Sequence, residues 1–365
     1  MQFIRIKLNK ALILCLFLSL IFFGKAQALT GDAKKFLPIS NIIVVPNDTV
    51  YGAARNIFTA VIDGAEAKID LAMYQLKDQG MIEALIRAAK RGVVVRIVTE
   101  SNPYKHKYNQ DKNMDGGIEQ LRSKGILVQN IAPRFLETMP NAQAHHKLLL
   151  VDDEYAIVMS CNWDTPTLTN TRDFALVISK AKQLQEFAVI NDLFTSDWLN
   201  KPNVITDKLV IVGPGGQREQ FIEFISKTNK EIQIYQQSYN DEKIATVLED
   251  KARQGIKIKL LMMPFPFGGQ QDSNIPYQKK LVQAGGEVRL IKDRYIHAKM
   301  IMIDDKLAYI GSCNFYPSSL DFNREVGVVT NDHNAIATLK SVFAKDWKTG
   351  EDLKDNHLEK YKTGV

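Results

Sequence analysis

A 34-residue segment of this chain occurs twice. Residues 145–178 read HHKLLLVDDEYAIVMSCNWDTPTLTNTRDFALVI, and residues 297–330 read HAKMIMIDDKLAYIGSCNFYPSSLDFNREVGVVT, aligned without a gap at a constant offset of 152. The offset pairs His145 with His297, Lys147 with Lys299, Asp152 with Asp304, Ser160 with Ser312, Asn162 with Asn314 and Asp173 with Glu325. An internal repeat restricts a chain to folds built from two like units.

The likeness extends in both directions with looser spacing. Ile69-Asp70-Leu71, a helical stretch, Lys90-Arg91-Gly92 and Val93–Ile97 return as Glu231–Ile234, Gln254-Gly255 and Ile256–Leu260. Ile42–Pro46 parallels Leu209–Pro214, and Phe194-Thr195-Ser196-Asp197-Trp198 recurs as Phe343-Ala344-Lys345-Asp346-Trp347. Short β-branched runs alternate with amphipathic stretches, the pattern of an α/β layer fold. Ile82, Leu85, Ile86 and Ala89 stand at helical spacing and predict one face packed on a sheet. The halves are expected at 40–200 and 208–348, joined by the polar segment around Pro202, with 349–365 a polar tail. Trp198 and Trp347 are expected to anchor the core at helix ends.

Each repeat opens on the pattern HxK(x)4D. In an extended chain residues i and i+2 share a face, so His145 and Lys147 point one way, as do His297 and Lys299. His146, where the second copy has Ala298, faces away and is expected to be a hydrogen-bonded supporting residue. Asp152 and Asp304 fall on the opposite face or past the strand end. They are expected to tie that end to neighbouring backbone, with Asp153 and Asp305 as turn residues.

The paired HKD motifs, the Ser-x-Asn that follows each and the later acid resemble the phospholipase D superfamily over essentially the whole chain after residue 28. The resemblance implies an internally duplicated phospholipase D-like fold: two α-β-α sandwich halves with one active site at their pseudo-two-fold interface. It implies a phosphohistidine mechanism that needs no metal or other cofactor. No HExxH, Cys/His cluster or EF-hand loop is present in the sequence. Lys147 and Lys299 would neutralise the phosphoryl oxygens, and Ser160, Asn162, Ser312 and Asn314 would help bind the phosphate. One histidine would attack phosphorus as a neutral imidazole while the other protonates the leaving alkoxide. Asp173 and Glu325 would each orient the histidine of their own motif. His145 is preferred as nucleophile, with the assignment open. The first copy departs from the family pattern at Met159 for Gly311, Thr171 for Asn323 and Asp173 for Glu325.

Three further features carry expectations. Cys161 and Cys313 lie between Ser and Asn and are expected to be small buried side chains rather than a disulfide. The loop Leu261-Met262-Met263-Pro264-Phe265-Pro266-Phe267-Gly268-Gly269 reads either as an apolar lip for acyl chains or bilayer, or as a rigid packed loop. Tyr104, Lys105, His106, Lys107 and Tyr108 read as an exposed charged loop ahead of a phosphate-binding one.

The N-terminus bears on setting. Arg5, Lys7 and Lys10 precede an apolar run from Ala11 to Phe23, and Ala26-Gln27-Ala28 offers a small-x-small cleavage site. The run is short for a membrane span, which needs about 20 residues, so 1–28 is expected to be a cleaved signal peptide, with export to the periplasm or medium. The whole chain has a formal charge of +6; without Arg5, Lys7, Lys10 and Lys25 it falls to near +2, a weak basic excess for a nucleic-acid binder. The leading expectation is therefore a monomeric, secreted phospholipase D acting on phospholipid at a membrane surface. A secreted nuclease with nucleic acid as substrate ranks second. A cardiolipin synthase-like transphosphatidylase ranks third, because the sequence has no other stretch long enough to span a membrane. A catalytically silent binding protein ranks last.

Overall fold

The computed structural model describes residues 37–46, 53–100, 116–131, 142–202, 205, 207–268 and 271–353. Residues 1–28, expected to be a signal peptide, the Tyr104–Tyr108 cluster and most of the polar tail lie outside these residues.

Two eight-stranded mixed sheets carry the chain. The first runs β1 (Ile42–Val45), β7 (Thr171–Ser179), β6 (Tyr155–Met159), β5 (Leu148–Val151), β2 (Lys68–Met73), β3 (Val94–Thr99) and β4 (Leu127–Asn130). The second repeats that order with β8 (Val210–Val212), β15 (Val326–Thr330), β14 (Leu307–Gly311), β13 (Met300–Ile303), β9 (Glu231–Tyr235), β10 (Lys257–Met262) and β11 (Glu287–Leu290), and ends on β16 (Glu351–Asp352). The duplication read in the sequence is thus a duplication of topology. The eighth strand of the first sheet, β12 (Tyr295–Ile296), belongs to the second half and pairs in parallel with the start of β7, Tyr295 beside Thr171 and Ile296 beside Arg172.

Helices cover the outer faces. On the first sheet lie α1 (Ala53–Asp63), α2 (Gln79–Lys90) and α3 (Gly116–Ser123). After α4 (Thr165–Asn170) and α5 (Leu184–Trp198), the second sheet is covered by α6 (Gln217–Ser226), α7 (Glu242–Arg253) and α8 (Ile275–Gln283). The amphipathic stripe of α2 is buried through Ile82, Leu85 and Ile86, and Asp78 caps its first turn by accepting from Met81 N at 3.2 Å. Asp241 caps α7 in the same way.

The inner faces of both sheets share a single core. Leu148, Leu150, Val158 and Phe174 of the first half pack in one cluster with Met300, Met302, Ile310 and Val326 of the second. The helices α5 and α9 (His333–Thr349) close it with Phe187, Phe194, Phe343 and Trp347. Trp347 is buried there and Trp198 packs against its edge half-buried. A shared apolar core makes the halves one cooperative unit, since separating them would return these side chains to water.

The departures between copies have steric reasons. Tyr309, fully buried in the second half, lies over Gly327 and Gly311, and a Cβ at either glycine would strike its ring or hydroxyl. The first half has Ile157 at the matching position, which leaves room for Ala175 and Met159. Met159 and Gly311 therefore each fit their own neighbours.

Candidate active site

The histidine segments lead into β5 and β13, where Lys147 O and Lys299 O accept from Met159 N and Gly311 N of their own sheets at 3.0 and 3.2 Å, but the histidine N–H groups are not bonded there. Each is held instead by the other half. Arg324 O accepts from His145 N at 2.9 Å, and Arg172 O accepts from His297 N at 3.1 Å and Ala298 N at 2.8 Å. The residue after each arginine is the acid, so each carboxylate is delivered to the opposite motif. His145 Nδ1 lies 2.9 Å from Glu325, and His297 Nδ1 lies 2.9 Å from Asp173. The expectation that each acid serves the histidine of its own motif is corrected here: the pairs cross. The physical cause is the strand exchange, because parallel pairing of Tyr295–Ile296 with Thr171–Arg172 sets Asp173 beside His297.

A carboxylate can only accept, so Nδ1–H donates and Nε2 of each ring is left for other chemistry. Both acids are wholly buried. Burial raises the Glu325 pKa, but the charge and hydrogen bond of His145, with the charge of Lys147, outweigh it and hold the group at about 2. Asp173 is likewise held below its ordinary range, against burial, by His297, Lys299 and Ser160. Small hydroxyls and an amide fix the carboxylates. Ser160 Oγ and Thr171 Oγ1 each donate to Asp173 at 2.6 Å. Ser319 Oγ donates to Glu325 at 2.6 Å and Asn323 Nδ2 at 3.3 Å. Thr171 and Asn323, which differ between copies, thus do the same work.

Lys147 and Lys299 are completely buried, and each Nζ donates to the carbonyl of the histidine two residues before it. Burial lowers their pKa values, to about 7 for Lys147 and about 8 for Lys299. Burial also pushes both histidines below their ordinary range, His145 to about 4. The crossed carboxylate–histidine contacts, with each lysine bonded to the carbonyl of its own histidine, bring the four groups into one site.

Asn162 and Asn314 are buried, each with an Oδ1 that has no hydrogen-bond partner, and Asn162 lines an open cleft. The serines, expected to bind phosphate, are placed otherwise. Besides its bond to Asp173, Ser160 Oγ accepts from Phe174 N at 3.0 Å, and Ser312 Oγ accepts from Val326 N at 3.0 Å and donates to Val326 O at 3.2 Å. Both are inaccessible and committed to holding the acid-bearing strands.

Asp152 and Asp304 lie in the turns after β5 and β13, with φ of 52° and 54°. Asp152 accepts from the backbone N–H groups of Glu66, Ala67 and Lys68, and Asp304 from those of Asn229, Lys230 and Glu231. The third motif residue fastens its strand end to the adjoining β2 or β9 and stands clear of the histidines. Cys161 and Cys313 are both free and buried.

Two ion pairs were not anticipated from sequence. Arg172 bonds Asp346 at 2.6 and 3.1 Å, and Arg324 bonds Asp197 at 3.0 and 2.8 Å, each pair crossing between halves. His146 Nε2 lies 3.2 Å from Asp197. In the second copy Tyr235 Oη donates to Asp346 at 2.8 Å, so a tyrosine from β9 stands in where Ala298 supplies no polar group. The repeated F-x-x-D-W was the available signal: a charge that recurs between two core aromatics in both halves needs a buried partner.

Among the described residues no group of three or more His, Cys, Asp or Glu is arranged to hold a metal ion, and no helix is long and apolar enough to cross a membrane.

The sequence matches the family model for the cardiolipin synthase, PLD-like domain, over residues 58–198 and 221–347. The chain belongs to the phospholipase D superfamily. Superfamily relatives include cardiolipin synthase 1 of Bacillus anthracis, 24% identical over 76% of this chain and 60% of that protein. A probable cardiolipin synthase of Bacillus subtilis is 24% identical over 82% of this chain and 65% of its own length. This chain therefore spans about three-fifths of the length of such relatives. A solved phospholipase D-fold structure, phosphatidylserine synthase of Haemophilus influenzae, superposes with a TM-score of 0.66 at 12% identity, over 88% of this chain and 91% of that one. Polyphosphate kinase of Porphyromonas gingivalis superposes with a TM-score of 0.64 at 15% identity, over 86% and 48%.

Proposed function

We propose that the chain is a phosphatidyl transferase of the cardiolipin synthase type, which moves a phosphatidyl group from one phospholipid to an alcohol through a phosphohistidine. The supporting observation for the chemistry is the crossed pair of buried carboxylate–histidine contacts, which leaves two Nε2 atoms and two buried lysines for a single phosphodiester. The names of the relatives support transfer, so the order of expectations changes: cardiolipin-type transfer moves ahead of hydrolysis by a phospholipase D.

In this reading His145 is the nucleophile. Its pKa of about 4 keeps the imidazole neutral at physiological pH, and Glu325 holds the proton on Nδ1. Nε2 attacks phosphorus while His297, protonated, gives its Nε2 proton to the departing alkoxide and the P–O bond breaks. The anionic diester itself favours protonated His297, offsetting the downward push of burial and of the lysines. An incoming alcohol then passes its proton to His297, its oxygen bonds phosphorus, and the bond to His145 breaks. Lys147 and Lys299 offset charge on the phosphoryl oxygens throughout.

Substrate is proposed to be phospholipid at a membrane surface, and residues 1–28 are proposed to direct export; sequencing the mature N-terminus tests the latter. The assay for the reaction uses residues 29–365 with phosphatidylglycerol vesicles in EDTA. Cardiolipin and glycerol as products support transfer, phosphatidic acid alone returns the account to hydrolysis, and cleavage of DNA with no lipid turnover removes the lipid reading.

A further inference from the structure

The two copies part company at one point beside the lysines. Aligned on the helix caps Asp78 and Asp241, Tyr74 of the first half corresponds to Gln237 of the second. Tyr74 sets its edge on His145, with centroids 4.8 Å apart, and its ring lies 5.1 Å from Lys147 Nζ. An aromatic therefore packs on the His145 side. On the other side Gln237 Oε1 lies 3.4 Å from Lys299 Nζ and its Nε2 donates to Tyr295 Oη at 2.7 Å. Tyr295 Oη in turn donates to Pro266 O. A hydrogen-bonded chain thus runs from the lysine to the loop Met263–Gly268.

That loop walls a cleft of about 690 Å³, whose lining includes His297, Asn162, Gln237, Tyr295, Pro266 and Phe267 but not His145. The loop is fixed at its base, where Asp272 accepts from Phe265 N at 2.9 Å. Phe267 stands at the rim, 68% exposed. A space of this size matches a sizeable organic ligand, whereas a water occupies only about 30 Å³.

We propose that the cleft beside His297 is the acceptor subsite, and that Pro266 and Phe267 select an alcohol carrying an apolar body, a glycerolipid, over water. The inference rests on the phosphatidyl-transfer reading and assigns that reaction its second substrate. The alcohol O–H faces His297, which takes the proton. The apolar body lies along the loop and displaces the water that would otherwise hydrolyse the phosphohistidine. Tyr295 and Gln237 are positioning residues that keep the loop in register with Lys299.

The test is a partition ratio, which does not depend on the fraction of active enzyme. The mature full chain, Phe267→Ser and Tyr295→Phe are given phosphatidylglycerol vesicles, and cardiolipin is measured against phosphatidic acid. A second series adds ethanol and measures phosphatidylethanol against phosphatidic acid. Phe267→Ser is expected to lower the cardiolipin ratio about fivefold or more, as loss of part of an aromatic contact would, and to move the ethanol ratio by less than about twofold. Tyr295→Phe is expected to lower the cardiolipin ratio in the same direction. Lipid turnover with a cardiolipin ratio unchanged in Phe267→Ser overturns the subsite alone. No phosphatidyl product from the unsubstituted chain overturns the transfer reading beneath it.

Discussion

Arg324 and Asp197 come from opposite halves of the chain and meet in the interior, two nitrogens on two oxygens at 3.0 and 2.8 Å. The same arginine offers its carbonyl to His145 N, so one residue pins the segment that carries His145 with its backbone and the two halves with its side chain. Breaking a buried pair from one side leaves an uncompensated charge, at a cost of about 3–5 kcal/mol. Arg324→Met should therefore destabilise the protein by that order in denaturant unfolding. Arg324→Met with Asp197→Leu should cost clearly less than the two single changes together, the signature of direct coupling. Additive single effects would show that the pair carries no coupling.

The steric account of the glycine positions predicts a rescue. Gly327→Ala places a methyl group against the Tyr309 ring and should destabilise by about 1–3 kcal/mol, as overpacking does. Adding Tyr309→Ile, the residue present at the matching position of the first half, should recover part of that loss. Thermal unfolding of the single and double variants reads it directly; a double variant worse than Gly327→Ala would contradict the compensation.

Activity should depend on pH in a direction fixed by burial. In the proposed mechanism the nucleophile works as neutral His145, whose pKa is lowered to about 4, so kcat/KM should fall on the acid side only near that value. The proposed proton donor works as charged His297, whose pKa is also lowered from 6.5, so the alkaline fall of kcat/KM should begin below 6.5. Bound diester adds negative charge beside His297, and the alkaline limb of kcat should lie at higher pH than that of kcat/KM. A kcat limb at the same or lower pH would sink the assignment of His297 as donor. The two limbs belong to the coupled pair rather than to isolated groups.

Much of this arrangement is legible in the sequence because the repeat is ungapped. The offset of 152 identifies both histidines, both lysines, both asparagines and both acids. The turn position of Asp152 and Asp304 follows from counting along an extended strand. What the repeat cannot express is exchange between its copies. A duplicated motif is symmetric in sequence, and nothing in it distinguishes an acid that serves its own histidine from one that serves the other. The crossing is decided by β12 pairing with β7, a contact between Tyr295–Ile296 and Thr171–Arg172 more than a hundred residues apart. The serines illustrate a second limit. A hydroxyl near a phosphate motif reads as a ligand, but a buried strand crossing needs its own donors, and Ser160 and Ser312 are spent there.

Trapping the covalent intermediate tests the central claim most directly. A p-nitrophenyl phosphodiester has a leaving group that needs no proton, so His297→Ala should still form the phosphohistidine but lack the base to release it. After acid-free quench and digestion, mass spectrometry should find the phosphoryl adduct on the peptide containing His145, with a burst of about one p-nitrophenol per site. An adduct on His297 in His145→Ala, with none on His145 in His297→Ala, would contradict the account.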